Sequence, residues 1–141
     1  MKSSRTLIEK VKQFEGLRLT AYKDSAGVPT IGYGHTRGVR MGDRISMSQA
    51  ERYLENDLRS AEYYVDNLKV AKTQGQFDAL VDFVFNLGGA RLSSSTLLRK
   101  IRAKASVTDI QNEFRRWVFA GGKVQPGLVK RRAWEAKRYA E

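Results

Sequence analysis

The chain of 141 residues contains no cysteine. No disulfide therefore staples the fold and no thiol does chemistry. It contains a single histidine, His35. Zinc sites draw on several His or Cys ligands, so neither a metal centre nor a metal cofactor is expected. No apolar run approaches the ~18 residues of a membrane span. The start, Met1-Lys2-Ser3-Ser4-Arg5, is basic, but no apolar signal stretch follows it. Internal repeats, low-complexity tracts and long linkers are missing too. Acidic residues are scarce, 15 against 26 Lys and Arg, for a net charge of +11 and a pI of about 10.1. Such a balance steers a protein toward polyanions. Nucleic acid is one such partner. Bacterial envelopes are another, and charge alone leaves both open.

The length fits one domain over residues 1–141, and chains of this size bury a sizeable core. The apolar fraction, 41%, is well above that of disordered chains. Leu7, Ile8, Val11 and Phe14 recur at helical spacing and predict a helix over 4–14 that Gly16 ends. Thr6 and Glu9 have capping-box spacing, with Ser3 or Ser4 as the alternative cap. Residues 17–36 read as the only strand region, a hairpin about the turn Asp24-Ser25-Ala26-Gly27, with a third short strand near 39–41. Everything beyond Ser46 reads as helix. One long helix carries the stripe Ala50, Tyr53, Leu54, Leu58, Ala61, Val65 and Leu68. Further helices are expected over 73–87, from Ser94, over 107–118 and over 128–139. Gly88-Gly89, Gly121-Gly122 and Pro126-Gly127 act as breaks. Trp117 and Trp134 read as core. The expected architecture is α+β: a small antiparallel hairpin lobe (about 17–45) and a larger helical lobe (about 1–14 plus 46–141), with a cleft between them.

Chemistry concentrates at the first helix and hairpin. Glu15 ends the helix, Asp24 sits in the turn and Thr30 lies on the returning strand. Two carboxylates in different surroundings can divide acid and base work, the pairing used to hydrolyse glycosidic bonds. Partial burial at the helix–hairpin junction would favour a protonated Glu15, while a polar turn keeps Asp24 ionised. The Thr30 hydroxyl could hold a water against Asp24. Nine residues of extended chain reach ~30 Å, so the hairpin has to bring the two carboxylates together. Arg131 or Arg132 is expected to reach the Glu15 carboxyl or the substrate.

The same residues carry a resemblance. Glu15, Asp24 and Thr30 fit the pattern E-x(8)-D-x(5)-T, set in Ala21-Tyr22, Gly27, Thr30-Ile31-Gly32 and Gly34-His35-Thr36. The stretch resembles the phage-type lysozymes, or endolysins, of glycoside hydrolase family 24. Gln76–Leu80 with Phe85-Asn86-Leu87-Gly88, Ser95–Leu98 and Gly127–Glu135 resemble further blocks of that family. The resemblance implies a lysozyme-like fold and an inverting muramidase without a cofactor. It would cut the β-1,4 link between N-acetylmuramic acid and N-acetylglucosamine in peptidoglycan glycan strands. Glu15 would be the general acid, Asp24 the base and Thr30 the residue that positions the water. Asn86, Ser95 and Thr96 would lie along the sugar-binding cleft, and His35 would pair structurally with Asp57.

The resemblance also implies cytoplasmic synthesis in a bacterial host and access to the wall through a separate membrane-permeabilising protein. Some relatives carry an N-terminal anchor, of which no trace is visible here. A monomer is expected, held on anionic wall polymers by its charge, with no specific nucleic-acid partner. Two other readings stay open. A basic nucleic-acid-binding module is supported by charge alone, since no helix-turn-helix, zinc-finger or RNA-binding signature is present. A lytic transglycosylase would need no water-activating carboxylate, so Asp24 and Thr30 argue for hydrolysis.

Overall fold

The computed structural model describes residues 1–141. Helix α1, Arg5–Glu15, buries Leu7 and Val11, and the Ser4 hydroxyl caps it by accepting the Leu7 N–H at 3.1 Å. The cap is thus Ser4, and the Thr6/Glu9 pair sits inside the first turns. The helix runs one residue past Phe14, which makes Glu15 its last residue. Gly16 stops it at φ +68°, its N–H returning to the Lys12 carbonyl at 2.9 Å.

Strands β1, Arg18–Lys23, and β2, Pro29–Gly32, pair antiparallel, with Tyr22 opposite Thr30 and Lys23 opposite Pro29. The register slips between Arg18 and Tyr22, so the hairpin bends. The expected third strand at 39–41 is displaced. Asp43 closes a turn back to Arg40, and the chain meets β1 only afterwards, in a bridge from Arg44 to Thr20.

Helix α2, Met47–Leu68, starts on a Ser46 cap and buries Ala50, Leu54, Leu58, Ala61 and Val65, with Tyr53 and Leu68 half-buried. Helix α3, Gln74–Leu87, is capped by Thr73 and stopped by Gly88; its run from Phe77 to Val84 is buried on every side. It packs against α2 and against the last helix, α7, Pro126–Tyr139, which opens on its proline. Two aspartates, Asp78 and Asp82, lie wholly buried on α3. Buried carboxylates persist only with partners. Asp78 takes the Ser4 hydroxyl and, at 2.8 Å, Nη2 of Arg138, tying α1 and α7 to the central helix.

Three short helices join α3 to the C-terminal part: α4, Gly89–Ser93, α5, Thr96–Arg102, and α6, Val107–Phe114. The glycine pair read as a plain stop thus begins another turn of helix. Helix α6 ends four residues before the expected 118, and Trp117 turns its ring edge-on to Phe83 at 5.4 Å. The reading of everything beyond Ser46 as helical is also corrected. Strands β3, Phe119–Ala120, and β4, Lys123–Val124, form a second hairpin about Gly121 and Gly122, at φ +60° and +76°. That conformation suits a tight two-residue turn and favours glycine. The architecture is α+β, a small hairpin lobe beside a larger helical one.

Candidate active site at the lobe junction

Because α1 ends at Glu15 and the chain turns at once into the hairpin, this side chain stands where the two lobes meet. Gly34, at φ +78°, covers it, and a Cβ at that position would run into the Glu15 carboxylate. From the other lobe, Arg131 on α7 donates its Nη1 hydrogen to Glu15 Oε2 at 2.6 Å. Glu15 is partly buried, as expected at the junction, but a guanidinium is its neighbour there. Glu15 keeps 20% of its side chain exposed and rests on a guanidinium.

Arg131 is itself held. Its Nε and Nη2 donate to Asp82 Oδ2 and Oδ1 at 3.0 and 2.8 Å, the two-pronged geometry in which arginine binds carboxylates most firmly. Phe14 and Phe85 flank the guanidinium, ring centres 5.0 and 5.9 Å away. Burial pulls the Arg131 pKa down, but Asp82 and Glu15 outweigh it and hold the group above its ordinary value, charged throughout. Asp82 has Glu135 beside it on α7. Burial pushes Glu135 well above the ordinary carboxylate range; Arg132 pulls it back, and Asp82 adds to the rise. Asp82 moves the other way. Burial would raise it, but Arg131 and a hydrogen bond from Glu135 bring it below the usual range. Three carboxylates (Glu15, Asp82, Glu135) and two guanidiniums (Arg131, Arg132) thus form one cluster, in which Arg132 Nε and Nη2 lie 2.8 and 2.9 Å from the two oxygens of Glu135.

The hairpin turn builds a second station. Asp24 Oδ1 accepts the N–H groups of Ala26 and Val28, both at 2.9 Å, and Oδ2 has no protein donor. Thr30, 3% exposed, donates its hydroxyl hydrogen to the Val28 carbonyl at 2.9 Å. One residue's backbone therefore fixes both side chains. The Asp24 carboxylate offers one oxygen to a proton, and the Thr30 oxygen keeps lone pairs for a water.

Two hollows flank the residues that hold Glu15. One, of about 930 Å³, runs between Phe14, the hairpin tip at Ser25 and Ala26, the second hairpin at Lys123, and Arg131. The other, of about 350 Å³, lies between Gly34, Arg37, Tyr64 and Phe85. Arg131 lines the first and Gly34 the second, and both touch Glu15.

The remaining candidates divide. His35 Nδ1 lies 2.8 Å from Asp57 Oδ2, and the imidazole stacks on Tyr53 at 4.2 Å, fastening the hairpin lobe to α2. Ser95 is taken out of the substrate cleft, because its buried hydroxyl donates to the Leu92 carbonyl and accepts the Leu98 N–H as the cap of α5. Arg132 is also out of reach. It is 0% exposed, with Nη2 shared between Glu135 at 2.9 Å and Asn86 at 2.7 Å. Asn86 spends its carbonyl oxygen on that contact. Thr96 opens on a separate hollow with Glu113, Arg116 and Trp117, and accepts from Arg99. No group of three or more His, Asp or Glu side chains is placed to hold a metal. The sequence reading missed Asp82 and Glu135. The available signal was acids at four-residue spacing, Asp78 and Asp82, on an otherwise apolar helix.

A groove between a hairpin lobe and a helical lobe, with a firmly held glutamate at their junction, is the layout of a lysozyme-type glycoside hydrolase. The phage lysozyme family model matches residues 12–135, and the chain belongs to that family. It is 41% identical over 130 residues to the endolysin of Acyrthosiphon pisum secondary endosymbiont phage 1, covering 89% of this chain and 88% of that one. It is 46% identical over 142 residues to the endolysin of Bacillus phage B103, covering 96% of this chain but only 52% of that longer protein. Among solved structures, the muramidase domain of SpmX from Asticaccaulis excentricus superposes with a TM-score of 0.88 at 36% identity, covering 99% of this chain and 98% of that one. The lysozyme-like fold and the assignment as a glycoside hydrolase follow from these likenesses.

Proposed function

We propose that this chain is a muramidase that cuts the β-1,4 bond between N-acetylmuramic acid and N-acetylglucosamine with inversion. The carrying observation is the division of labour at the junction. Glu15 is held by Arg131 and covered by Gly34, each of which lines a hollow, and Asp24 keeps one carboxylate oxygen without a protein donor on the turn whose Val28 backbone also holds Thr30. In this reading Glu15 gives its proton to the leaving glycosidic oxygen. Asp24 takes a proton from a water held by Thr30, and that water attacks the anomeric carbon from the opposite face. Arg131 orients Glu15, His35 and Asp57 hold the lobe, and residues 1–141 act as one catalytic unit and as a monomer.

The place of action follows from the same reading. The relatives named endolysins support synthesis in the cytoplasm of a bacterial host, followed by release onto the wall through a separate membrane-permeabilising protein. No helix is long and apolar enough to cross a membrane.

Reducing-sugar release from purified peptidoglycan tests the chemistry. Glu15→Gln and Asp24→Asn are each expected to lower the rate by about 10²–10⁴-fold, the usual contribution of a positioned acid or base. The first product seen by NMR is expected to be the α-anomer. Mass spectrometry showing 1,6-anhydro-muramic ends would replace hydrolysis by transglycosylation, and a β-anomer would replace inversion by retention.

A further inference from the structure

A cation 2.6 Å from a proton donor poses a problem for the reading above. A lone guanidinium at that distance favours the ionised carboxylate, and an ionised Glu15 has no proton to give. Arg131 is not alone, however. Asp82, 0% exposed, takes one hydrogen each from Nε and Nη2, and Nη1 is the nitrogen that reaches Glu15.

We propose that Asp82 is a positioning residue for the reaction: it aims Arg131 at Glu15 and cancels the guanidinium's charge, so that the acid is held in place without being locked ionised. The inference rests on Glu15 as general acid and adds the device that keeps it so. The charged groups around Arg131 are Glu15 from α1, Asp82 from α3, and Glu135 and Arg132 from α7; the hollow it lines also holds Lys123 and Lys130, with Ser25 and Ala26 from the hairpin tip. Glu135 is engaged by Arg132, whose Nε and Nη2 lie 2.8 and 2.9 Å from its two oxygens, so Asp82 is the buried carboxylate that balances Arg131. When the Glu15 proton passes to the glycosidic oxygen and the C–O bond breaks, the new carboxylate remains on Nη1. The pair then holds it until a proton returns from solvent.

The test is the pH profile of sugar release in two variants with opposite expected signs. Asp82→Asn leaves Arg131 uncompensated, and the alkaline limb should move to lower pH by roughly one unit. Arg131→Gln leaves Asp82 uncompensated, and the limb should move to higher pH. The double variant Asp82→Asn/Arg131→Gln buries no unpaired charge and should fold and return the limb toward the parent's position. In all three the acid limb should stay where it is. Thermal melting checks that each variant is folded; should a single variant unfold, the other single and the double carry the comparison. Alkaline limbs that stay put, or that move the same way in both single variants, overturn the inference. A Glu15→Gln protein that still releases sugar overturns the underlying reading instead, so the two failures are told apart.

Discussion

Gly34 is a residue with almost no room for change. Its φ of +78° is costly for any residue with a Cβ, and that Cβ would strike the carboxylate of Glu15. Gly34→Ala should therefore displace the acid as well as strain the loop. The expected result is a loss of about 1–3 kcal/mol in urea unfolding together with a sugar-release rate well below the parent's. A variant with normal activity would mean that Glu15 does not need its observed position. Glu135 gives a second residue-level prediction, with the sign as follows. Its folded pKa is raised, so the folded protein keeps a proton that the unfolded chain loses near pH 4.3. Stability from this group is present below that pH and is lost as pH rises toward the folded value. The depressed Asp82 acts oppositely, contributing stability that disappears only as pH falls below about 3.9. Glu135→Gln should then gain on the parent in urea midpoint as pH is raised from about 4.5 to 7. A difference between the two proteins that stays flat over that range would show that Glu135 ionises normally.

Most of the elements were legible because their ends are written locally. Ser4, Ser46, Thr73 and Ser106 each accept a backbone N–H at a helix start, and Gly16 and Gly88 close their helices; the end of α6, four residues short of the expected 118, has no glycine to mark it. The Phe-Ala-Gly-Gly-Lys-Val stretch was readable too, since two glycines between short apolar segments are a hairpin signal. It was taken for a break because two-residue strands carry no alternation to recognise. Of the ionic cluster only the approach of Arg131 or Arg132 to Glu15 was expected; Asp82 and Glu135 were missed. Arg131 meets Glu15 across 116 positions and Asp82 across 49, and no local pattern distinguishes those arginines from the others in a chain so rich in them. At this scale His35 and Asp57 join the hairpin lobe to α2 through one 2.8 Å contact. Asp57→Ala should cost about 1 kcal/mol of stability by denaturant unfolding. An unchanged midpoint would show that the lobe is held by packing alone.

For the whole molecule the dominant quantity is the +11 charge. It plays no part in bond cleavage as proposed, but a charge of this sign is expected to draw the protein to an anionic surface and speed encounter. Lysis of intact walls is expected to fall steeply as ionic strength approaches 1 M, where screening shortens the field to ~3 Å. Cleavage of small soluble glycan fragments should change far less. Equal salt dependence for both would remove the charge from the account. The reach of Arg131 across the chain has a temporal side as well. On the ribosome the glutamate emerges early, but the arginine that holds it is synthesised 116 residues later. A nascent chain therefore carries this carboxylate long before Arg131 fixes its direction, and under the proposed mechanism competence to cut would arrive only with α7.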